Sequence, residues 1–369
     1  MGDALFMTPL LRALRTLPTI ETVDLLLGSR TEPIFRNNPH IDQIFSVDKG
    51  KWHAAGPREL FKEVFSLWRN LRGRRYDLLI DFSLQREYGF YAGFFLGIPR
   101  RIGFNFRKRG IFLTESFPLP KGFEGAHVVD FYCELGKFVG LEIEDRFLEF
   151  YLSREDEEEA EKILRRPLTL PSPQRGEGGG EGRNISRFVA VAPGGGESWG
   201  KDASLKRWPV VHFVEMLSLL KERIDFEGVL VLGSREEREL GEEIERASSF
   251  PVRNLCGELS VGGSAALLKR ALVFLANDSG LVHLAPALGI PLIALYGPVN
   301  PRVYGPYPLA PHTVAVVREK LPCRPCYSRF RYNSACPDRE CLSALFPEEV
   351  VEFLDRKNFW SAVGYPSVE

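Results

Sequence analysis

The sequence predicts an α/β protein made of two doubly wound, Rossmann-like domains with parallel sheets. Three observations predict it. The 369 residues amount to roughly two domains at ~150 residues each. Short apolar runs alternate with amphipathic helical patterns, which is the signature of βαβ units. The alternation occurs on both sides of one stretch rich in Pro, Gly and Ser, RPLTLPSPQRGEGGGEGRN at 166–184, which cannot bury enough apolar surface to fold. The expected organisation is therefore an N-terminal domain over 1–165, a linker or insertion over 166–184, a C-terminal domain over 185–346, and a helix with a tail over 347–369.

Taken in order, the chain opens with Thr8-Pro9, an N-cap followed by proline at the first helical position, and LLRALRTL continues as an amphipathic helix. A doubly wound domain ordinarily begins with a strand, and only seven residues precede Thr8. The first strand is thus expected to be absent or to lie upstream of Met1. Strands are expected at Val23–Leu27, Ile41–Val47 and Asp77–Phe82. Residues 1–125 carry 19 Lys or Arg against 13 Asp or Glu, concentrated around Arg69 to Arg75 and Arg100 to Arg109. That surplus reads either as a solvated face or as a site for an anionic ligand. The acidic run Glu155–Glu161 reads as a solvated helix face. Beyond the linker, strands are expected at Phe188–Ala192, Gly228–Leu232, Leu272–Ala276 and Pro291–Tyr296, with a helix at Val210–Arg223.

Composition removes several functions. A net charge of −1 offers no overall attraction to nucleic acid. No run reaches the ~18 apolar residues needed to cross a bilayer, and the acidic start Met1-Gly2-Asp3 is unlike a signal peptide. Six cysteines are too few for a disulfide scaffold, so a reducing, cytoplasmic setting is expected.

Ligands of doubly wound sheets bind where strands lead into helix N-termini, and four such segments carry chemistry. Asn277-Asp278-Ser279-Gly280 follows the run LVFLA and precedes LVHLAPALG, so its free amides suit a phosphate or are simply capped by Asp278 or Ser279. His283, one turn on, reads more readily as a packed histidine than as a catalyst. Pro193-Gly194-Gly195-Gly196 follows FVAVA, and three glycines let backbone amides approach an anion closely. Lys201 and Lys206 follow and could add a point charge. GxxxxGK[ST] and GxGxxG are both absent there. Gly233-Ser234-Arg235-Glu236-Glu237 follows VLVL, and a carboxylate at such a strand end can accept from ribose hydroxyls or merely favour the helix start. Finally, Cys323, Cys326, Cys336 and Cys341 form the one cysteine cluster. They read as free thiols in a loop, or as a tetrahedral zinc site although the second pair lacks CxxC spacing.

In combination these segments resemble the heptosyltransferases of glycosyltransferase family 9. The matching pieces are GDALFMTPLLRALR at 2–15, GIPRRIGF at 97–104, APGGG at 192–196 with KRWP at 206–209, LGSREERELGEEI at 232–244, and NDSGLVHLAPALGIPLIALYGPVNP at 277–301. The likeness spans nearly the whole chain apart from 167–184. It implies the glycosyltransferase B fold, with two domains across a cleft, acceptor bound by the first and nucleotide sugar by the second. It further implies inverting transfer of heptose from ADP-heptose to the lipopolysaccharide inner core, with no cofactor or catalytic metal required. By motif, Asp3 is the implied general base, Lys206 the lysine on the donor phosphate, and Glu237 the acid near the ribose. Asp278 is implied to hold heptose, with Ser279 and Gly280 beside the pyrophosphate and Gly195 and His283 within the donor segments. Arg101 and Arg107 of the basic surface become the expected contacts of an anionic, lipid-linked acceptor, and peripheral association with the inner face of the inner membrane follows. The alternatives are another nucleotide sugar on the same fold, or a sugar-nucleotide-binding protein with impaired catalysis.

Overall fold

The computed structural model describes residues 1–168, 185–318, 320–328, 330–332, 336 and 338–365. Most of the expected linker, 169–184, lies outside the described residues. The chain divides into a smaller unit, Phe6–Arg146, and a larger one that joins Met1–Leu5 to the chain from Phe147 onward.

Helix Gly2–Leu5 belongs to the larger unit, and the smaller unit opens with helix Thr8–Leu14 ahead of its first strand. Met7, not Thr8, is the N-cap of the second helix, because Thr8 already has helical geometry and Pro9 follows it inside the first turn. Its strands are β1 (Asp24–Gly28), β2 (Gln43–Val47), β3 (Leu78–Asp81), β4 (Arg100–Asn105) and β5 (Glu115–Pro118). β1 pairs with β2, and β4 lies between β3 and β5, all in parallel. The core of this unit gathers Leu10, Leu14, Phe35, Ile102, Phe104, Val128 and Tyr132.

The larger unit carries one six-stranded parallel sheet built from β6 (Phe188–Ala192), β7 (Gly228–Val231), β8 (Val252–Asn254), β9 (Val273–Asn277), β10 (Leu292–Tyr296) and β11 (Thr313–Val317). The order is β11-β10-β9-β6-β7-β8. From β6 the chain first builds outward through β7 and β8, then returns to the other side of β6 for β9, β10 and β11. The order therefore reverses between β6 and β9, and at such a reversal the crevice beyond the strand ends takes the ligand. Residues of β6, β7, β9 and β10 are buried throughout, as expected of parallel strands covered on both faces. Helix Val210–Arg223 lays Phe213, Met216, Leu217 and Leu220 on that sheet.

The acidic run Glu155–Glu161 is only partly solvated, contrary to the sequence reading. Ser153 and Asp156 close a capping box at the start of helix Arg154–Leu164. Glu157 pairs with Arg270 at 2.6 Å, and Glu159 accepts from the backbone N–H of Ser260 at 2.9 Å. Gly262 and Gly263 lie so close under Asp156 and Glu159 that a Cβ would come within 2.2 Å of a carboxylate oxygen at either position. These contacts attach 147–165 to the larger unit, so the division falls at Arg146 and not at the stretch after Arg165.

Candidate active site at the sheet reversal

Two loops leave the sheet at the reversal, Pro193–Gly196 after β6 and Asp278–Gly280 after β9, and Ala192 pairs with Ala276 in register. Asn277, fully buried, ties them together. Its Nδ2 donates to the Pro193 carbonyl at 2.6 Å, and its Oδ1 accepts from the Trp208 backbone N–H at 3.1 Å. Trp208 is in turn anchored by its indole N–H to the Leu345 carbonyl at 2.7 Å. Lys206, two residues before Trp208, is delivered by the same staple.

Lys206 and Asp278 form a buried ion pair, Nζ to Oδ2 at 2.9 Å. Burial pushes the Asp278 carboxyl above the ordinary aspartate range, while Lys206 and the Tyr296 phenol pull it back. Tyr296, buried against that carboxylate, has its own ionisation pushed far up. Tyr327 comes from the cysteine-rich stretch, held there by the Cys326 and Tyr327 backbone N–H groups donating to the Pro298 carbonyl at 3.0 and 3.2 Å. Its phenol is pushed up to about 12, first by burial and then by the charges of Asp3 and Asp278. Tyr332, 5.3 Å from Tyr327 between ring centroids, is raised for the same leading reason.

The glycine loop and the Glu237 turn interlock. Glu237 accepts from the Gly196 N–H at 3.1 Å through Oε1 and from the Ser234 N–H at 2.9 Å through Oε2. A Cβ on Gly194 would stand 1.8 Å from Oε1, and one on Gly195 would stand 2.1 Å from the Ala203 carbonyl oxygen. Neither position has room for a side chain. Gly196, at φ 83°, comes next to Ser279 and the Gly280 amide. The Ser279 hydroxyl is buried and has no hydrogen-bond partner among the described residues, so a ligand oxygen there would satisfy it.

The first helical turn, Gly2–Leu5, packs on the turn Gly280–His283. A Cβ on Gly2 would come 2.5 Å from the His283 ring, and one on Gly280 would come 2.7 Å from Met1. Glycine at both positions allows this approach, which seats Asp3 against the turn. Asp3 is exposed to solvent, with protein packed behind its carboxyl. The lost hydration holds its carboxyl above the ordinary range, against the pull of the N-terminal ammonium and Lys206. His283 is buried beneath this contact.

Asp3, Gly195, Lys206, Glu237, Asp278, Ser279, Gly280 and His283 thus all belong to the larger unit. Arg101 and Arg107 do not. The Arg101 guanidinium donates to the carbonyls of Phe112 at 2.8 Å and Ile98 at 2.6 Å, which commits it to the edge of β4. Arg107 is exposed, with its guanidinium 4.9 Å from the Phe106 ring centroid. The side chain of Lys201 lies outside the described residues. Cys323 and Cys336 are exposed, Cys326 is half-buried, and Cys341 is buried with its thiol pushed up to about 11 by that burial. Among the described residues no group of three or more His, Cys, Asp or Glu has a geometry that could hold a metal. Asn277 stands in a segment the sequence singles out, but its tying role shows only in the structure, and Tyr296, Tyr327 and Tyr332 are additions.

Amide-rich loops and a buried lysine at the reversal of a Rossmann-type sheet make up the kind of site that suits an anionic, phosphate-bearing ligand. The comparisons with known proteins narrow this. Residues 64–334 match the model of glycosyltransferase family 9 (heptosyltransferase). Lipopolysaccharide heptosyltransferase 3 of Escherichia coli K12 is 26% identical over 364 residues, covering 94% of this chain and 96% of that protein. Among solved structures, E. coli ADP-heptose lipopolysaccharide heptosyltransferase II superposes with a TM-score of 0.68 at 21% identity, over 98% of this chain and 96% of that one. The glycosyltransferase family 9 protein of Veillonella parvula gives 0.73 at 19% identity, over 96% and 94%. The chain belongs to glycosyltransferase family 9, and its fold is glycosyltransferase B.

Proposed function

We propose that the chain is an inverting heptosyltransferase that moves heptose from ADP-heptose to the lipopolysaccharide inner core. The observation that carries the reading is the gathering of Asp3, Lys206 and Asp278 beside the glycine loop and the unpartnered Ser279 hydroxyl, all at the sheet reversal. In the proposed step an acceptor hydroxyl oxygen attacks the anomeric carbon from the face opposite ADP. The bond from that carbon to the β-phosphate oxygen breaks, its electron pair stays on the phosphate, and the hydroxyl proton passes to Asp3. A carboxyl held above its usual range is a better proton acceptor once ionised, and general-base help of this kind supplies ~10²- to 10⁴-fold. Lys206 and the amides following Ser279 face the charge that develops on ADP, which supports catalysis without a metal ion. Glu237 is assigned to the ribose and Asp278 to the heptose hydroxyls. The smaller unit is assigned the acceptor, with Arg107 freer than Arg101 to meet an anionic saccharide, and the acceptor is lipid-linked at the inner membrane face.

The test compares turnover of ADP-heptose with that of UDP- and GDP-sugars on a lipopolysaccharide core acceptor, before and after chelation. Transfer from ADP-heptose that survives chelation is expected. Asp3→Asn should lower kcat by ~10²- to 10⁴-fold with ADP-heptose affinity retained, and should abolish the acid limb of the rate profile. That limb exists because the base works only when deprotonated, so the rate falls as pH drops through its raised pKa. Binding of ADP-heptose without turnover would mark a binding protein, and full activity in Asp3→Asn would remove Asp3 as the base.

A further inference from the structure

Helix Pro57–Arg74 of the smaller unit buries only Leu71, which is unusual for an 18-residue amphipathic helix in a folded domain. Its apolar side chains form two stripes. Leu60, Leu67 and Leu71 turn toward the unit. Phe61, Phe65 and Trp68 recur at i, i+4 and i+7 on a second stripe that faces solvent, with Phe61 68% exposed and Phe65 47% exposed. Arg58, Lys62 and Arg69 run alongside that outer stripe, while Glu59 and Glu63 fall on the opposite side of the helix.

The outer stripe is held in place and continues beyond the helix. The Trp68 indole N–H and the Arg72 guanidinium both donate to the Phe95 carbonyl, at 3.1 and 3.0 Å. This locks the helix to the end of helix Arg86–Phe94, whose Phe94 is 75% exposed. Phe90 stacks on Phe94 at 5.5 Å and meets Phe112 at 5.1 Å, which brings in the turn Arg109–Phe112 and its exposed Ile111. Arg107, Lys108 and Arg109 border that end. From 58 to 109 the chain has 12 Lys or Arg against 5 Asp or Glu.

We propose that this face docks on an anionic lipid bilayer, with Phe61, Phe65 and Phe94 entering the interface and the basic rim resting on the headgroups. Charge complementarity and shape together point to this occupant. A protruding aromatic stripe beside a basic stripe is the arrangement that lies in a membrane interface. A folded protein partner would instead meet a rim carrying both signs. The inference deepens the lipid-linked acceptor reading above and rests on it only for its biological sense, because lipid binding is measured without ADP-heptose.

The test is co-sedimentation of the full chain with vesicles of phosphatidylcholine alone and of phosphatidylcholine with phosphatidylglycerol, across a salt series. Binding to the mixed vesicles that weakens with salt is expected, with much less on phosphatidylcholine alone. Lys62→Glu with Arg69→Glu should cost at least about 25-fold in partitioning, at about fivefold per basic side chain. Phe61→Ser with Phe65→Ser should lower partitioning at every salt concentration. Both variants should keep wild-type ADP affinity, since the donor residues lie in the larger unit. In the wild-type chain, brominated lipid should quench tryptophan emission, and Trp68→Phe should remove that component. A wild-type chain that stays in the supernatant, unchanged partitioning in both variants, or a wild-type dimer made monomeric by Phe61→Ser with Phe65→Ser would overturn the proposal. None of these outcomes touches the transfer reaction. A chain that binds vesicles but transfers no heptose would instead overturn the transferase reading alone.

Discussion

Lys206 and Asp278 are each nearly inaccessible to solvent and 2.9 Å apart, so removing either leaves an uncompensated buried charge. Lys206→Met alone should therefore destabilise by about 3 to 5 kcal/mol, which would mask any effect on the donor. The double variant Lys206→Met with Asp278→Asn removes both charges and separates the roles. Urea unfolding should show most of the stability returned, while isothermal titration should still show ADP affinity reduced by roughly ten- to a hundredfold, the worth of one charge-assisted bond. Restored affinity in the double variant would mean that Lys206 serves only Asp278. Gly2 gives an independent handle on the base. Gly2→Ala would drive a methyl to 2.5 Å from His283, lifting the first turn from Gly280–His283 and displacing Asp3. A fall in kcat of at least about tenfold is expected from such misplacement, with the unfolding midpoint nearly unchanged. At this scale the sequence was partly legible. Asp278, Ser279 and Gly195 stand at strand-to-helix turns that local patterns reveal, whereas Tyr327 is placed by a loop-to-loop bond to the Pro298 carbonyl and Asp3 by the contact of Gly2 with His283, from opposite ends of the chain.

Among the elements, β6, β7, β9 and β10 were readable because strands buried on both faces must be continuous apolar runs. β4 was not, since it begins with Arg100 and Arg101, which pattern as surface charge although their guanidinium groups close on Glu115 and on backbone carbonyls. β8 has only three residues, with Arg253 in the middle, too few to show a period. The element that sets the site is the end of β9. Asn277→Ala would strand the Trp208 N–H and the Pro193 carbonyl, both buried, at about 1 to 3 kcal/mol each. A loss of about 2 to 6 kcal/mol in urea unfolding is expected, and in the surviving folded protein a weaker hold on ADP than stability alone explains. An unchanged midpoint would show that water replaces both bonds without cost.

For the whole molecule, the two units differ in how well their sheets are covered. Strands β1, β2, β3 and β5 are mostly half-buried, in sheets of two and three strands, against a six-stranded sheet with four fully buried strands. Small, partly covered sheets are the less stable kind. Denaturation should show two transitions, with the smaller unit melting first by hydrogen exchange or calorimetry. ADP at a hundred times its Kd should raise only the second, by about 2.7 kcal/mol, because every proposed donor contact belongs to the larger unit. The course of the chain explains how Asp3 comes to share that unit. The first five residues lie with the sheet from β6 to β11, the next stretch to Arg146 builds the other unit, and the chain then returns. In design terms, 6–146 is a cassette spliced into a host. On the proposed division of labour, with the acceptor assigned to the smaller unit, exchanging that cassette between relatives should change the saccharide accepted while leaving the proposed proton acceptor and leaving-group contacts on one scaffold. New acceptor specificity could then be sought by recombination at two peptide bonds, without rebuilding the chemistry.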